Sequence, residues 1–150
     1  MNNTNNLRDN VERWLVHENY SFKNVKSDGD TFRILIKDIG SFRIPIEIFE
    51  PNKQIGVIVL SGKVFLRNPQ IARYNKLTGS EQEKFKNLVK GFCDSIHAIH
   101  KIYKEDGKVV IGVYLVLDHV EKFTQEVVHY ALGQITEMSE KTYQFITKTF

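Results

Sequence analysis

The sequence predicts an α+β protein: an antiparallel sheet with helices packed mainly on one face, in the order α-β-β-β-α-β-α. Three observations carry this. Apolar and polar residues alternate between residues 31 and 65, the period of strands. Three other stretches place apolar residues at helical spacing. The links between the strand-like runs, Asp38–Ser41 and Glu50–Lys53, are short enough to join antiparallel neighbours. No repeat and no composition shift marks a boundary beyond the Asn-rich head, so residues 1–150 are read as a single domain.

The first helix is read from Leu7, Val11, Trp14 and Leu15, spaced on one helical face. Asn5 or Asn6 is expected to supply the N-cap oxygen, and the helix to stop near Asn19. Such a short helix needs a surface to cover its stripe. Thr31–Lys37 is the first strand, with Phe32, Ile34 and Ile36 on one face. Phe42–Phe49 is the second, with Phe42, Ile44, Ile46 and Ile48 on a dry face and Arg43 and Glu47 on a wet one. Pro45 lies on its wet face. Proline cannot donate to a ladder, so the strand is expected to be an edge or bulged there. Gln54–Phe65 is apolar on both faces and is placed more centrally, with a bend at Ser61 and Gly62.

Asn68 and Pro69 end the strands and open a helix, with Asn68 as cap. Ser80, with Glu83 three residues on, marks a second start. From there the stripe Phe85, Leu88, Val89, Phe92, Ile96, Ile99, Tyr103 carries the helix to Tyr103, and Gly91 within it points to close packing of another element. Glu105–Lys108 is a turn, and Lys108–Leu117 a central strand. Asp118 is expected to cap the last helix, Val120 to about Lys148. Its stripe of Phe123, Val127, Ala131, Ile135, Met138, Phe145 and Ile146 is widened by Val128, Tyr130 and Leu132, which suits contact with more than one surface.

These residues carry a resemblance: the helix ending at Trp14 and Leu15, the meander from Phe32 to Leu66, the helix from Phe85, and Val113–Asp118 running into the Phe123 helix. The pattern resembles the type III secretion chaperone-like fold, which is shared by the YbjN-like proteins and by a small, mostly archaeal family of unknown function. The resemblance implies a homodimer that binds segments of other proteins and is not an enzyme. It supplies no catalytic residues to carry over. The secretion chaperones are usually acidic, whereas this chain has a net charge of +3.

The composition, 41% hydrophobic and 26% charged, is globular. The longest apolar run, Val109–Leu117, is far too short to span a bilayer. The first residues lack the basic and apolar regions of a secretion signal, and one cysteine cannot form an intrachain disulfide. Both point to the cytoplasm. Basic and acidic residues are interleaved, as in Lys101, Lys104, Glu105, Asp106 and Lys108, which reads as a solvated surface.

The sharpest chemical candidate is Cys93, His97 and His100, which helical spacing would set on one face as ligands for Zn²⁺, with His119 or His129 as a fourth. The ordinary reading, a small Cys and boundary histidines beside a core stripe, outweighs it. Cys93 with His97 as base is a weaker candidate still, lacking a strained turn or an oxyanion hole. Asp118 beside His119 reads as a cap and a neighbour, and Glu47 and Glu50 as solvated carboxylates near a strand end. Gly29, Gly40, Gly56 and Gly62 form no phosphate-binding motif. Arg67, Arg73 and Lys76 with Tyr74 are the residues for a nucleic-acid alternative, but with no supporting signature they read as a solvated loop.

The favoured function is therefore a non-catalytic, protein-binding or chaperone-like homodimer. A peptide or helix of another protein is its expected partner, and neither a cofactor, a membrane nor a nucleic acid is expected. Pro45, Phe123, Val127 and Tyr130 are the expected partner-binding residues. The alternatives are a metal- or thiol-dependent enzyme centred on Cys93, His97 and His100, and a weak nucleic-acid binder.

Overall fold

The computed structural model describes residues 3–150. Helix α1 (Asn3–His17) is followed by strands β1 (Ser21–Asn24), β2 (Asp30–Lys37), β3 (Ile46–Pro51) and β4 (Ile58–Phe65). Helices α2 (Asn68–Lys76) and α3 (Gly79–Ser95) come next, then β5 (Ile99–Glu105) and β6 (Lys108–Leu117). A 3₁₀ turn at Val120–Lys122 leads into the long helix α4 (Gln125–Thr149). The six strands form one antiparallel sheet in the order β1-β2-β3-β4-β6-β5. The expected α+β class and block order hold, with β1 and β5 added and the middle helix in two pieces.

One hydrophobic core lies between the sheet and the helices. Strand alternation sends Ile34, Ile36, Ile46, Ile48, Ile58, Leu60, Ile111 and Val113 into it. Helix α4 packs on β4 and β6, α3 on α4 and β5, and α1 on α4, β1 and β2. The α1 stripe is as read: Leu7, Val11 and Leu15 are buried. On α4 the buried stripe is Val128, Ala131, Leu132, Ile135, Ser139, Thr142 and Ile146. This is rotated from the expected one, because Ser139 faces Gly62 of β4 and Thr142 faces Cys93 of α3. At the closest approach, a Cβ on Gly62 would collide with the Ser139 hydroxyl and lie 2.9 Å from its Cβ. Only glycine lets α4 sit this near the sheet.

Two helices end in the same way. After α1, Asn19 takes φ 61° and Tyr20 N–H bonds the Leu15 carbonyl. After α3, His97 takes φ 56° and Ala98 N–H bonds the Cys93 carbonyl. Both are Schellman ends, with Asn and His where glycine is usual. The second corrects the helix expected to reach Tyr103. Ile96, Ile99 and Tyr103 fit a helical stripe, but beyond His97 the chain reverses and Ile99–Glu105 pairs with β6. Pairing with a neighbouring strand overrides the local period.

Other expectations are corrected by a residue or more. Helix α1 starts at Asn3, so Asn5 and Asn6 lie inside it, and any cap before Asn3 falls outside the described residues. Arg67, not Asn68, is the N-cap of α2, with the Gln70 side chain reaching back to its backbone. Thr78, not Ser80, caps α3, in a capping box with Glu81. Thr124, not Asp118, caps α4, because the 3₁₀ turn intervenes. A Cβ on Gly91 would meet nothing within 4 Å, so no element packs there. Ser61 and Gly62 lie within an unbroken β4. Pro45 does not mark an edge. Strand β3 pairs on both sides, with β2 and β4, and begins just after the proline, so no ladder donor is lost. The edges are β1 and β5. Among the described residues, no helix is long and apolar enough to cross a membrane.

Candidate functional site

The helices gather on one face of the sheet; the other face is where polar chemistry collects. Alternation puts Arg33 of β2, Glu47 and Phe49 of β3, Ser61 and Lys63 of β4, Gly112 and Tyr114 of β6, and Tyr103 of β5 on this side. They line a groove of about 420 Å³, walled at one end by Val25, Lys26 and Ser27 of the β1–β2 loop.

A chain of ion pairs runs across its floor. Arg33 donates through Nε to Asp30 at 2.7 Å and through Nη1 to Glu47 at 2.8 Å. Its guanidinium also lies 3.9 Å from the centre of the Phe49 ring. Lys63 Nζ is 3.1 Å from Glu105 and 3.8 Å from Glu47. Glu47 is only 7% exposed, which an ionised carboxylate tolerates because two cations face it.

Beside this chain stand two tyrosines. Burial, then Tyr114 and Glu105, push the Tyr103 phenol up to about 12. Burial also raises Tyr114, while Lys63, Arg33 and a hydrogen bond with Tyr103 oppose the rise. Tyr114 lies along the sheet. A Cβ on Gly112 would collide with its hydroxyl and lie 2.9 Å from its Cζ, so glycine lets the ring lie down. The face thus presents flat aromatic surface among fixed charges, with Arg33 and Lys63 paired to Asp30, Glu47 and Glu105.

The residues expected from sequence are placed elsewhere. Cys93, His97 and His100 do not share a helix face: Cys93 is fully buried in α3, His97 is exposed in the reversing turn, and His100 is on β5, its Nδ1 3.3 Å from the Ala98 carbonyl. Burial pushes the Cys93 thiol up, against a hydrogen bond with Thr142, which is the reverse of activation. His119 is exposed between Asp118 at 3.5 Å and Glu121 at 3.4 Å, and His129 bonds the Tyr20 hydroxyl at 3.0 Å. Among the described residues, no three His, Cys, Asp or Glu side chains gather closely enough to hold a metal ion.

Glu47 and Glu50 are not solvated. Glu50 is buried and accepts from the Thr31 hydroxyl and from Gly56 N–H, closing the β3–β4 turn. Tyr74 is buried against Phe85, so it cannot stack a base, and Arg73 lies over Phe150. Phe123 packs against the core, while Val127 and Tyr130 face outward on α4. Sequence reasoning missed Arg33, Lys63, Tyr103 and Tyr114. The signal was present in Arg33, Glu47 and Lys63, opposite charges at same-face positions of successive strands.

An antiparallel sheet with helices on one side and a charged, aromatic groove on the other defines an open-faced α+β protein of the YbjN-like fold. The chain belongs to the family described as "Uncharacterized conserved protein (DUF2299)", whose pattern matches residues 7–146. No curated protein matches it. The fold recurs in solved structures of other proteins. An uncharacterized protein from Methanothermobacter thermautotrophicus superposes with a TM-score of 0.76 at 11% identity, covering 93% of this chain and 96% of its own. YbjN, a putative transcription regulator from E. coli, superposes with a TM-score of 0.57 at 14% identity, covering 91% of this chain and 88% of its own.

Proposed function

We propose that this protein is a non-catalytic binding module whose working surface is the open face of the sheet, and that it acts as a homodimer. The observation that carries the first part is the groove on that face. It combines flat aromatic rings with buried charges neutralised by one another. Such groups suit recognition, because a paired Arg33, Glu47 or Lys63 is a poor acid or base and, among the described residues, no activated nucleophile stands nearby. The description of YbjN as a putative transcription regulator, and the chaperone-like resemblance, both favour binding over catalysis.

The homodimer rests on a second surface. Val127 and Tyr130, one turn apart on α4, and Val16 on α1 are large apolar side chains left exposed, Tyr130 by 68% and Val16 by 61%. The end of α1 is tied to the start of α4 by Gln125 to Glu18 at 2.9 Å and Tyr20 to His129 at 3.0 Å. Exposed apolar side chains of this size suit a second copy of the chain or a helix of another protein.

A photo-crosslinking amino acid at Lys101, on the open face, is compared in the native host with one at Asn87, on the outer side of α3. Macromolecular crosslinks from position 101 and none from 87 are expected. An absence of crosslinks from position 101 overturns the binding reading. Light scattering of the purified chain is expected to give a dimer that Tyr130→Asp converts to monomer. A wild-type monomer at every concentration overturns the dimer.

A further inference from the structure

We infer that the open face of the sheet binds single-stranded nucleic acid, with a base stacked on Tyr114 between phosphates held by Lys37 and Lys101, at either end of a row that passes through the ion-paired Lys63. This rests on the binding-module reading above and names its ligand class. Basic residues are interleaved with acids along the chain, but folding sorts them. Lys23, Arg33, Lys37, Lys63, Lys101 and Lys108 occupy same-face positions on the open side, against Glu47 and Glu105. Six of the chain's 21 Lys and Arg and two of its 18 Asp and Glu are on this face, a formal +4 that becomes +3 once Asp30, bonded to Arg33, is counted with them.

The register sharpens the pattern. The pairings Ile36 with Ile46 and Ile46 with Gly62 bring Lys37, Pro45 and Lys63 into one row across the strands, and Lys63 N–H bonds the Pro45 carbonyl at 3.1 Å. Lys63 faces Gly112, which faces Lys101. The three lysines of this row are two strands apart at each step, about 10 Å. The site between Lys63 and Lys101 is Gly112, and the Tyr114 ring lies over it. Phe65 and Tyr103 stand on the next row, on either side of Val110. A row of ammonium groups with a flat ring set among them complements a phosphate backbone that carries unstacked bases. A duplex hides its base faces and gains nothing from the ring. An acidic peptide matches the charge but has no use for a flat aromatic between the lysines.

The test is fluorescence anisotropy with a labelled oligothymidylate and an oligouridylate, a duplex of the same length, and poly-glutamate as the acidic-peptide arm. Two phosphate contacts predict a slope of log affinity on log salt of about −1.4. K37E/K101E, at two exposed positions, is expected to weaken single-strand binding at least tenfold and to flatten that slope. Tyr114→Ala is expected to weaken it about tenfold through lost stacking, with Tyr114→Phe restoring most of the loss. No single-strand binding at ~0.1 mM protein and low salt overturns the proposal. So does duplex binding as tight as single-strand binding, or equal binding of poly-glutamate. Binding that K37E/K101E weakens but Tyr114→Ala does not shows a charge surface only, and also overturns it. In each of these cases crosslinks from Lys101 to a protein would leave the binding-module reading standing, whereas their absence would remove that as well.

Discussion

The two faces of this sheet are made by the same strands, one residue out of phase, and they solve opposite problems. On the covered face, Ile34, Ile46, Ile48, Ile58, Leu60 and Ile111 are fully buried against α1 and α4. On the open face, the alternate residues Arg33, Glu47, Ser61, Lys63 and Tyr114 meet one another and the solvent. Stability comes from the first face, where each buried Leu or Ile is worth about 1.5–3 kcal/mol of removed apolar surface. The open face adds little to stability, since its ion pairs lose in desolvation most of what they gain in attraction. A fold divided in this way can change its ligand chemistry without changing its core.

The largest effect that could break this contrast lies on the covered side. Leu132, fully buried on α4, is expected to lose about 3 kcal/mol of stability as Leu132→Ala, from the lost transfer energy and the cavity left behind. Urea denaturation should show a lower midpoint with an unchanged slope. A loss below about 1 kcal/mol would mean that α4 yields and the covered face is not the rigid one. Next comes Gly62→Ala, which drives a methyl into Ser139 and is expected to cost about 2 kcal/mol. The Ser139 hydroxyl is buried without a partner, so Ser139→Ala alone should be near neutral. Combined with Gly62→Ala it should recover part of the loss. Additive effects would show that the two positions are not in contact.

Much of the covered face was legible in the sequence and little of the open one. Apolar alternation in Phe32–Ile36 and Ile46–Ile48, and the α1 stripe, are local patterns that a helix or strand must bury. The end of α3 was not legible, because Ile96, Ile99 and Tyr103 satisfy a helical period that pairing with β6 then overrides. Nor was the capping shift from Ser80 to Thr78, since both offer a hydroxyl with a glutamate three residues on. The open face depends on register across five strands. Lys63 and Lys101 are far apart in sequence and meet only because β6 runs between β4 and β5. No local reading contains that fact. The metal candidate failed for the converse reason: its spacing assumed one helix, and His97 ends it.

On the open face the expected effects are smaller. Glu47→Gln keeps the shape but removes the charge that Arg33 and Lys63 share, and should cost about 1 kcal/mol. Raising the salt should reduce the wild-type advantage, whereas the Leu132→Ala loss should be insensitive to it. A Glu47→Gln loss as large as that of Leu132→Ala would erase the distinction between the faces.

The smallest effect at neutral pH is the most specific. Tyr103→Phe removes a hydroxyl bonded to Tyr114 and should cost about 0.5–1 kcal/mol there. The wild-type phenol is pushed from 10.0 up to about 12, because burial and the nearby Glu105 disfavour its anion. Below pH 10 the phenol is protonated in the folded and the unfolded chain alike, so its ionisation takes nothing from stability. As the pH rises from 10 toward about 12, the unfolded chain releases this proton first, and stability falls across that window. Phenylalanine has no proton to release, so the gap between wild type and variant should close and then reverse through the same window. Urea midpoints measured along a pH series would follow it, with tyrosinate absorbance reporting one fewer late-ionising phenol in the variant. A gap that stays constant from pH 10 to 12 would mean that Tyr103 ionises as freely as an exposed tyrosine, and that the open face is wetter than its groove implies.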